Sequence, residues 1–226
     1  MSHARKVLFA YDGPVAISPD GKALGISFTR DMFKRYKSLG EHVTLLMRGK
    51  KVSKELAGHY SELTDEGVVF EAVPDAKGPV KMLTQAHALR GKIRHHVSNS
   101  DIVVARLPSL VGSWALKEAW KQKKPVIVEC VGCVWDSLWN HNALGKISAP
   151  YFFVKNKLLI SKASHVVYVT NSFLQSRYPN AGKWTHCSNV VIEPAPEDVV
   201  ERKLISLGDI SNRTINITTV AGVSVP

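Results

Sequence analysis

Cysteine is scarce in this chain, with three in 226 residues, too few for the disulfide framework of a secreted scaffold. Long apolar runs are missing too. A membrane-spanning helix needs roughly 18 consecutive apolar residues, and Lys155, Lys157 and Lys162 interrupt the most apolar stretch, around residues 151–160. Nor do the first residues form a secretory signal, because Met-Ser-His-Ala-Arg-Lys runs straight into a short apolar segment with no cleavage site. A cytoplasmic location is therefore expected. There is no G-x-G-x-x-G, no G-x-x-x-x-G-K-[ST], no G-x-S-x-G and no H-E-x-x-H, which argues against dinucleotide enzymes, phosphate-loop enzymes, simple hydrolases and zinc proteases. No Asp-x-Asp is present to hold a metal-bound nucleotide.

Acidic residues are also few, 19 against 30 Lys and Arg, for a formal charge of +11. A field of that sign attracts phosphates, whether on an anionic membrane, a phosphate-bearing acceptor or a nucleic acid. Few aromatics interleave with the basic clusters and no nucleic-acid module is visible, so nucleic acid is the weaker reading. The Cys130-Val-Gly-Cys133 pair is a C-x-x-C without a second pair. His141, His186 and Cys187 do not complete a four-ligand zinc site, and the two thiols read as buried side chains. No metal and no cofactor are expected.

What the chain does have is a series of short apolar runs, at residues 7–11, 43–47, 102–106, 126–130, 166–170 and 190–192. Most are rich in β-branched residues and each is too short for a helix, the pattern of strands buried in a parallel sheet. Further elements are predicted as a strand over 68–73 and helices over 26–39, 80–97, 111–122 and 151–162, with a short helix from 171. The alternation predicts an α/β, Rossmann-like, doubly wound and mostly parallel sheet with helices on both faces. A seventh apolar run, 215–220, follows a charged, turn-rich stretch. Residues 1–205 then form one domain, and 206–226 a linker and the first strand of a truncated second one.

In such a sheet ligands bind beyond the carboxyl ends of the strands. After the first strand comes a segment with Gly13, Pro14 and Gly21, where glycine would let backbone approach a phosphate and a following helix would offer free N–H groups. A plain surface loop is the competing reading. After the strand 126–130 comes a segment running from Glu129 through Trp135, Asp136 and Trp139 to His141, whose indoles could stack on sugar rings while polar groups bond hydroxyls. The alternative is that Trp135 and Trp139, spaced i and i+4, pack a helix on the sheet while Asp136 caps it or faces water. Arg106, ending its strand at the same edge, could hold a phosphate or carboxylate, or pair with Glu129 on the neighbouring strand.

These segments together resemble the N-terminal half of GT-B glycosyltransferases, most nearly the retaining enzymes of glycosyltransferase family 4 that assemble bacterial capsule, exopolysaccharide and lipopolysaccharide. The resemblance covers nearly the whole chain through the order of strands and loose motifs. It implies an acceptor-binding domain of a metal-independent transferase that moves a sugar from a nucleotide-sugar donor to a saccharide or lipid-linked acceptor. Gly13, Pro14 and Gly21 would border the donor diphosphate, Arg106, Glu129, Trp135 and Trp139 would bind acceptor, and Asp136 and His141 are the candidate catalytic residues. The paired-glutamate motif of that family belongs to the donor domain, so this chain alone is expected to be inactive. Peripheral attachment to the inner face of an anionic membrane is an expectation from charge. The rival is a stand-alone Rossmann-like module that binds a nucleotide or nucleic acid.

Overall fold

The computed structural model describes residues 4–26, 28–74, 79–188 and 196–208. Two units are present, Met1–Asn189 and Val190–Pro226. In the first unit the strands are β1 (Lys6–Ile17), β2 (Ala23–Gly25), β3 (His42–Lys51), β4 (Ser61–Glu62), β5 (Val68–Val73), β6 (Ile102–Leu107), β7 (Val126–Cys130), β8 (His165–Tyr168) and β9 (Lys183–His186). Its helices are α1 (Arg30–Lys34), α2 (Lys54–Ala57), α3 (Pro79–Ser98), α4 (Leu110–Lys121), α5 (Val134–Trp139), α6 (Ala143–Ser161) and α7 (Phe173–Arg177). The second unit contains α8 (Glu197–Gly208).

Seven strands pair in parallel in the order β5-β3-β1-β6-β7-β8-β9. This is a doubly wound, Rossmann-like sheet in which the winding reverses between β1 and β6, the place where such sheets open a crevice. Alternate residues of the central strands serve two cores. Leu8, Ala10, Val103, Ala105, Val128 and Cys130 pack under α3, α4 and α6, whereas Val7, Phe9, Val43, Leu45 and Val104 meet Phe33 of α1 and Tyr36 on the opposite face. Gly112 lets the first turn of α4 press on the end of β6, since a Cβ there would lie 2.2 Å from the Arg106 carbonyl oxygen.

Five features differ from the sequence reading. The glycine-containing segment after the first strand is not a loop. β1 continues through Gly13 and Pro14 to Ile17, shifts register against β3 between Ala10 and Pro14, and turns back into β2. Proline has no N–H to donate, so it is tolerated at this irregularity of the ladder. Gly21, with φ of +85°, sits in the tight hairpin turn and donates its N–H to the Ser18 carbonyl. The helix expected over 26–39 shrinks to α1, capped by Thr29, followed by a 3-10 turn over Arg35–Ser38.

The helix expected from 151 starts at Ala143 instead. Asn142 caps it by accepting the Gly145 N–H at 2.7 Å, and it runs through Pro150 at the loss of one backbone donor. The connection expected after β7 contains α5, and the short strands β2, β4 and β9 have no counterpart in the sequence pattern. The runs at 190–192 and 215–220 lie outside the described residues.

Candidate functional site

The carboxyl edge of the sheet carries polar groups on both of its faces. On the α1 face, the parallel register sets Arg106 beside Glu129, and both are only 6% exposed. Arg106 Nη1 lies 3.7 Å from Glu129 Oε2, and its guanidinium stands over the rings of Tyr11 and Phe28. The Tyr36 hydroxyl donates to Glu129 Oε1 at 2.7 Å, and Arg35 Nη2 donates to the same oxygen at 3.2 Å. Burial, and then the Glu129 charge, push the Tyr36 phenol far above its usual range. Of the two readings offered for Arg106, pairing with Glu129 is the one realised. The partners from the 3-10 turn were invisible in sequence because they come from more than ninety residues upstream.

At the switch point the carboxylate of Asp12 accepts hydrogen bonds from the Leu110 and Val111 N–H groups, at the first turn of α4. Ser109 accepts the Gly112 N–H at 2.7 Å. The N-terminus of α4 is thus an anion site filled from within the chain. Gly13 is enclosed, with Tyr11 and Phe28 side chains where a Cβ would go.

On the other face, α5 stacks the Trp135 and Trp139 rings 5.0 Å apart at an interplanar angle of 11°. Trp135 also meets Phe153 edge-on and packs against the core, while Trp139 is 41% exposed. The pair is therefore both a packing device and a platform with one free face. Asp136 lies 3.6 Å from Arg177 of α7. His141 Nδ1 is within 2.8 Å of the Asn142 amide. Among the described residues no hydrogen bond or ion pair joins Asp136 to His141.

Cys130 and Cys133 are both buried, and burial pushes the Cys130 thiol up to about 12. Among the described residues no group of His, Cys, Asp and Glu could hold a metal ion, and no helix is long and apolar enough to cross a membrane. Sequence reasoning missed a pocket of about 210 Å³ between α4, α5 and α6, lined by Ser109, Ser113, Leu138, Phe152, Lys155 and Asn156. A signal was available, since α6 carries lysines and no carboxylate.

No protein-family model matches the chain. Over 180 residues it is 29% identical to Protein CapJ of Staphylococcus aureus, a match covering 79% of this chain and 45% of that protein. UGT89C1 of Arabidopsis thaliana, solved with UDP-L-rhamnose, is similar at a TM-score of 0.48 and 14% identity, over 91% of this chain and 55% of that one. A UDP-glucosyltransferase from Polygonum tinctorium is similar at a TM-score of 0.47 and 12% identity, over 88% and 55%. The chain spans about half the length of these relatives. With both TM-scores below 0.5, the doubly wound architecture rests on the strand order itself.

Proposed function

We propose that this chain is the acceptor-side domain of a GT-B glycosyltransferase, which moves a sugar from a nucleotide-sugar donor to a saccharide or lipid-linked acceptor in cell-surface polysaccharide synthesis. The observation that carries the reading is the stacked Trp135–Trp139 pair at the carboxyl edge of a doubly wound sheet, its outer indole 41% exposed on the short helix that also carries Asp136. An exposed indole face suits the apolar face of a sugar ring, and neighbouring polar groups can bond its hydroxyls. The sequence resemblance supports the same assignment and supplies the finer one, a retaining, metal-independent enzyme of family 4.

The geometry redistributes the roles within that proposal. Arg106 and Glu129 act as a rigid floor under the site, because their charges already face one another and Arg35. Gly13 and Pro14 border the donor only along the bulged edge of β1, and Gly21 sits farther along, in the hairpin turn. We place the protein in the cytoplasm, at the inner face of a membrane.

The test is saturation-transfer NMR of the 226-residue chain with a panel of hexoses and nucleotide sugars, followed by transfer assays on the whole reading frame. The expected results are a saccharide signal that disappears in Trp139→Ala, and an α-linked product from an α-linked donor. A β-linked product would overturn the retaining assignment alone. A chain that ignores every saccharide and instead binds nucleic acid with a steep salt dependence would overturn the whole reading.

A further inference from the structure

The α4–α6 face holds a second feature that the proposed transfer does not explain. Helix α6 exposes Leu144, Ile147, Tyr151, Val154 and Leu158, spaced alternately by three and four residues along one stripe. Such a stripe normally faces a core or a partner. Its C-terminal half forms a groove of about 790 Å³ with α4, floored by Trp120, Tyr151, Val154 and Leu158 and edged by Lys117, Lys155 and Lys162. Lys155 also lines the smaller pocket, a largely apolar cavity that contains Ser109, Ser113 and Asn156, so its side chain borders both cavities. In that pocket Asn156 is 5% exposed, and its amide donates to the Phe152 carbonyl at 2.9 Å. The Asn156 Oδ1 has no hydrogen-bond partner.

The cleft therefore changes character along its length. Hydroxyl and amide groups stand at the end near the α4 N-terminus, then Lys155 and Lys117, then an apolar trough with Lys162 at its far rim. Burial and the neighbouring Lys117 hold the Lys155 ammonium below its usual range, a position in which an incoming anion is favoured. No Asp or Glu occurs anywhere in residues 137–192, so nothing on this stretch of chain repels an anion. An unpaired buried acceptor beside a cavity asks for a donor such as a sugar hydroxyl.

We propose that the α4–α6 cleft binds a single amphiphile: a hydroxyl-bearing head against Asn156, Ser109 and Ser113, an anionic phosphate at Lys155 and Lys117, and an aliphatic chain along Trp120, Val154 and Leu158. The inference rests on the glycosyltransferase reading only in calling the head a saccharide. The polar-to-apolar gradient stands without it.

Binding is measured by Trp fluorescence of the 226-residue chain with farnesyl phosphate, farnesol and farnesyl phosphoryl glucose, each below its micelle concentration. Farnesyl phosphate should bind at least tenfold more tightly than farnesol. Combined Lys117→Gln and Lys155→Gln should abolish that preference, while Leu158→Ser should weaken both ligands. The glucose head should add a further fivefold or so, and Asn156→Leu should remove that increment without touching farnesyl phosphate, which also reports that the variant is folded. Equal binding of farnesol and farnesyl phosphate would overturn the assignment of the lysines. Failure of every farnesyl probe, with Lys155-dependent sedimentation on phosphatidylglycerol vesicles, would overturn the ligand site in favour of a lipid-surface contact. Loss of self-association in Ile147→Ser, with no farnesyl binding, would assign the stripe to a second copy. Amphiphile binding without sugar transfer by the whole reading frame would retain the cleft and sink the enzymatic proposal.

Discussion

On the α1 face of the sheet edge, Glu129 collects a phenol and a guanidinium on one oxygen and an ion pair on the other. On the α4–α6 face, Asn156 keeps an unpaired oxygen beside a cavity, and the charge that bears on Lys155 is that of another lysine, Lys117. Glu129 and Arg106 end strands of the sheet, whereas Asn156, Lys155 and Lys117 stand on the helices that cover it. The first region gathers opposite charges into one buried cluster, in which Arg35 Nε, Arg106 Nε and Glu129 Oε2 also have no hydrogen-bond partner, and it behaves as framework because the charges compensate one another. The second sets one unpaired amide oxygen and two like charges around a cavity, with no opposite charge among the described residues to compensate them, at a cost in desolvation that a ligand would recover. Rigidity under one half of the edge and openness in the other is what a binding site on a fixed scaffold requires.

The comparison breaks most visibly at Glu129. Glu129→Ala leaves two guanidinium groups facing each other under α1, and removal of one partner from a buried pair typically costs about 3–5 kcal/mol. Urea unfolding followed by circular dichroism should show a large fall in midpoint at unchanged slope. A loss under about 1 kcal/mol would mean that the cluster is hydrated and open, like the opposite face.

Tyr36→Phe removes one donor from the same carboxylate and should cost about 1–3 kcal/mol at neutral pH. The phenol is held protonated in the folded chain far above its usual range, whereas in the unfolded chain it ionises near pH 10. Its contribution is therefore complete below pH 10 and declines as the pH rises beyond it, because only the unfolded state releases the proton. Stability curves of wild type and variant should approach one another above pH 10 by about 1.4 kcal/mol per pH unit, and so meet between about pH 10.7 and 12. Parallel curves would show that Tyr36 is not sealed.

Asp12→Ala tests the junction between the two regions. Two α4 N–H groups lose their acceptor, and the loss of a capping interaction is worth about 1–2 kcal/mol. The uncapped helix end should also gain affinity for inorganic sulfate, read as a rise in midpoint with added sulfate that wild type lacks. A variant as stable as wild type would place water, not Asp12, as the cap in solution.

Much of this layout was legible in the chain. Runs of Val and Ile announced the parallel strands, and the facing of Arg106 and Glu129 followed from two adjacent strands. The reverse hairpin at β2 and the edge strand β9 were not legible, because two-, three- and four-residue strands such as Lys183–His186, exposed throughout, carry no alternation to read. Pro150 hid the first half of α6, and with it Leu144 and Ile147, since proline inside a helix argues for a boundary. Asn156 gave no signal at all. A buried amide with one free oxygen is a property of its neighbours, and those lie on three helices.

Trp139→Ala should have the smallest effect on folding and so separates packing from platform most cleanly. The residue is 41% exposed and its stacking partner Trp135 is held independently by Phe153. The cost should stay at about 1 kcal/mol, the worth of an aromatic pair at a partly exposed site. Saccharide affinity should nevertheless fall by an order of magnitude if the outer indole face is where a sugar ring lies. A loss of stability larger than that, with saccharide binding intact, would make the stacked pair part of the framework and leave the α4–α6 cleft as the one open half of the edge. Intact stability with lost affinity would extend the open region from Asn156 across α5 to Trp139, a surface long enough to hold a saccharide whose phosphate and aliphatic chain continue past Lys155.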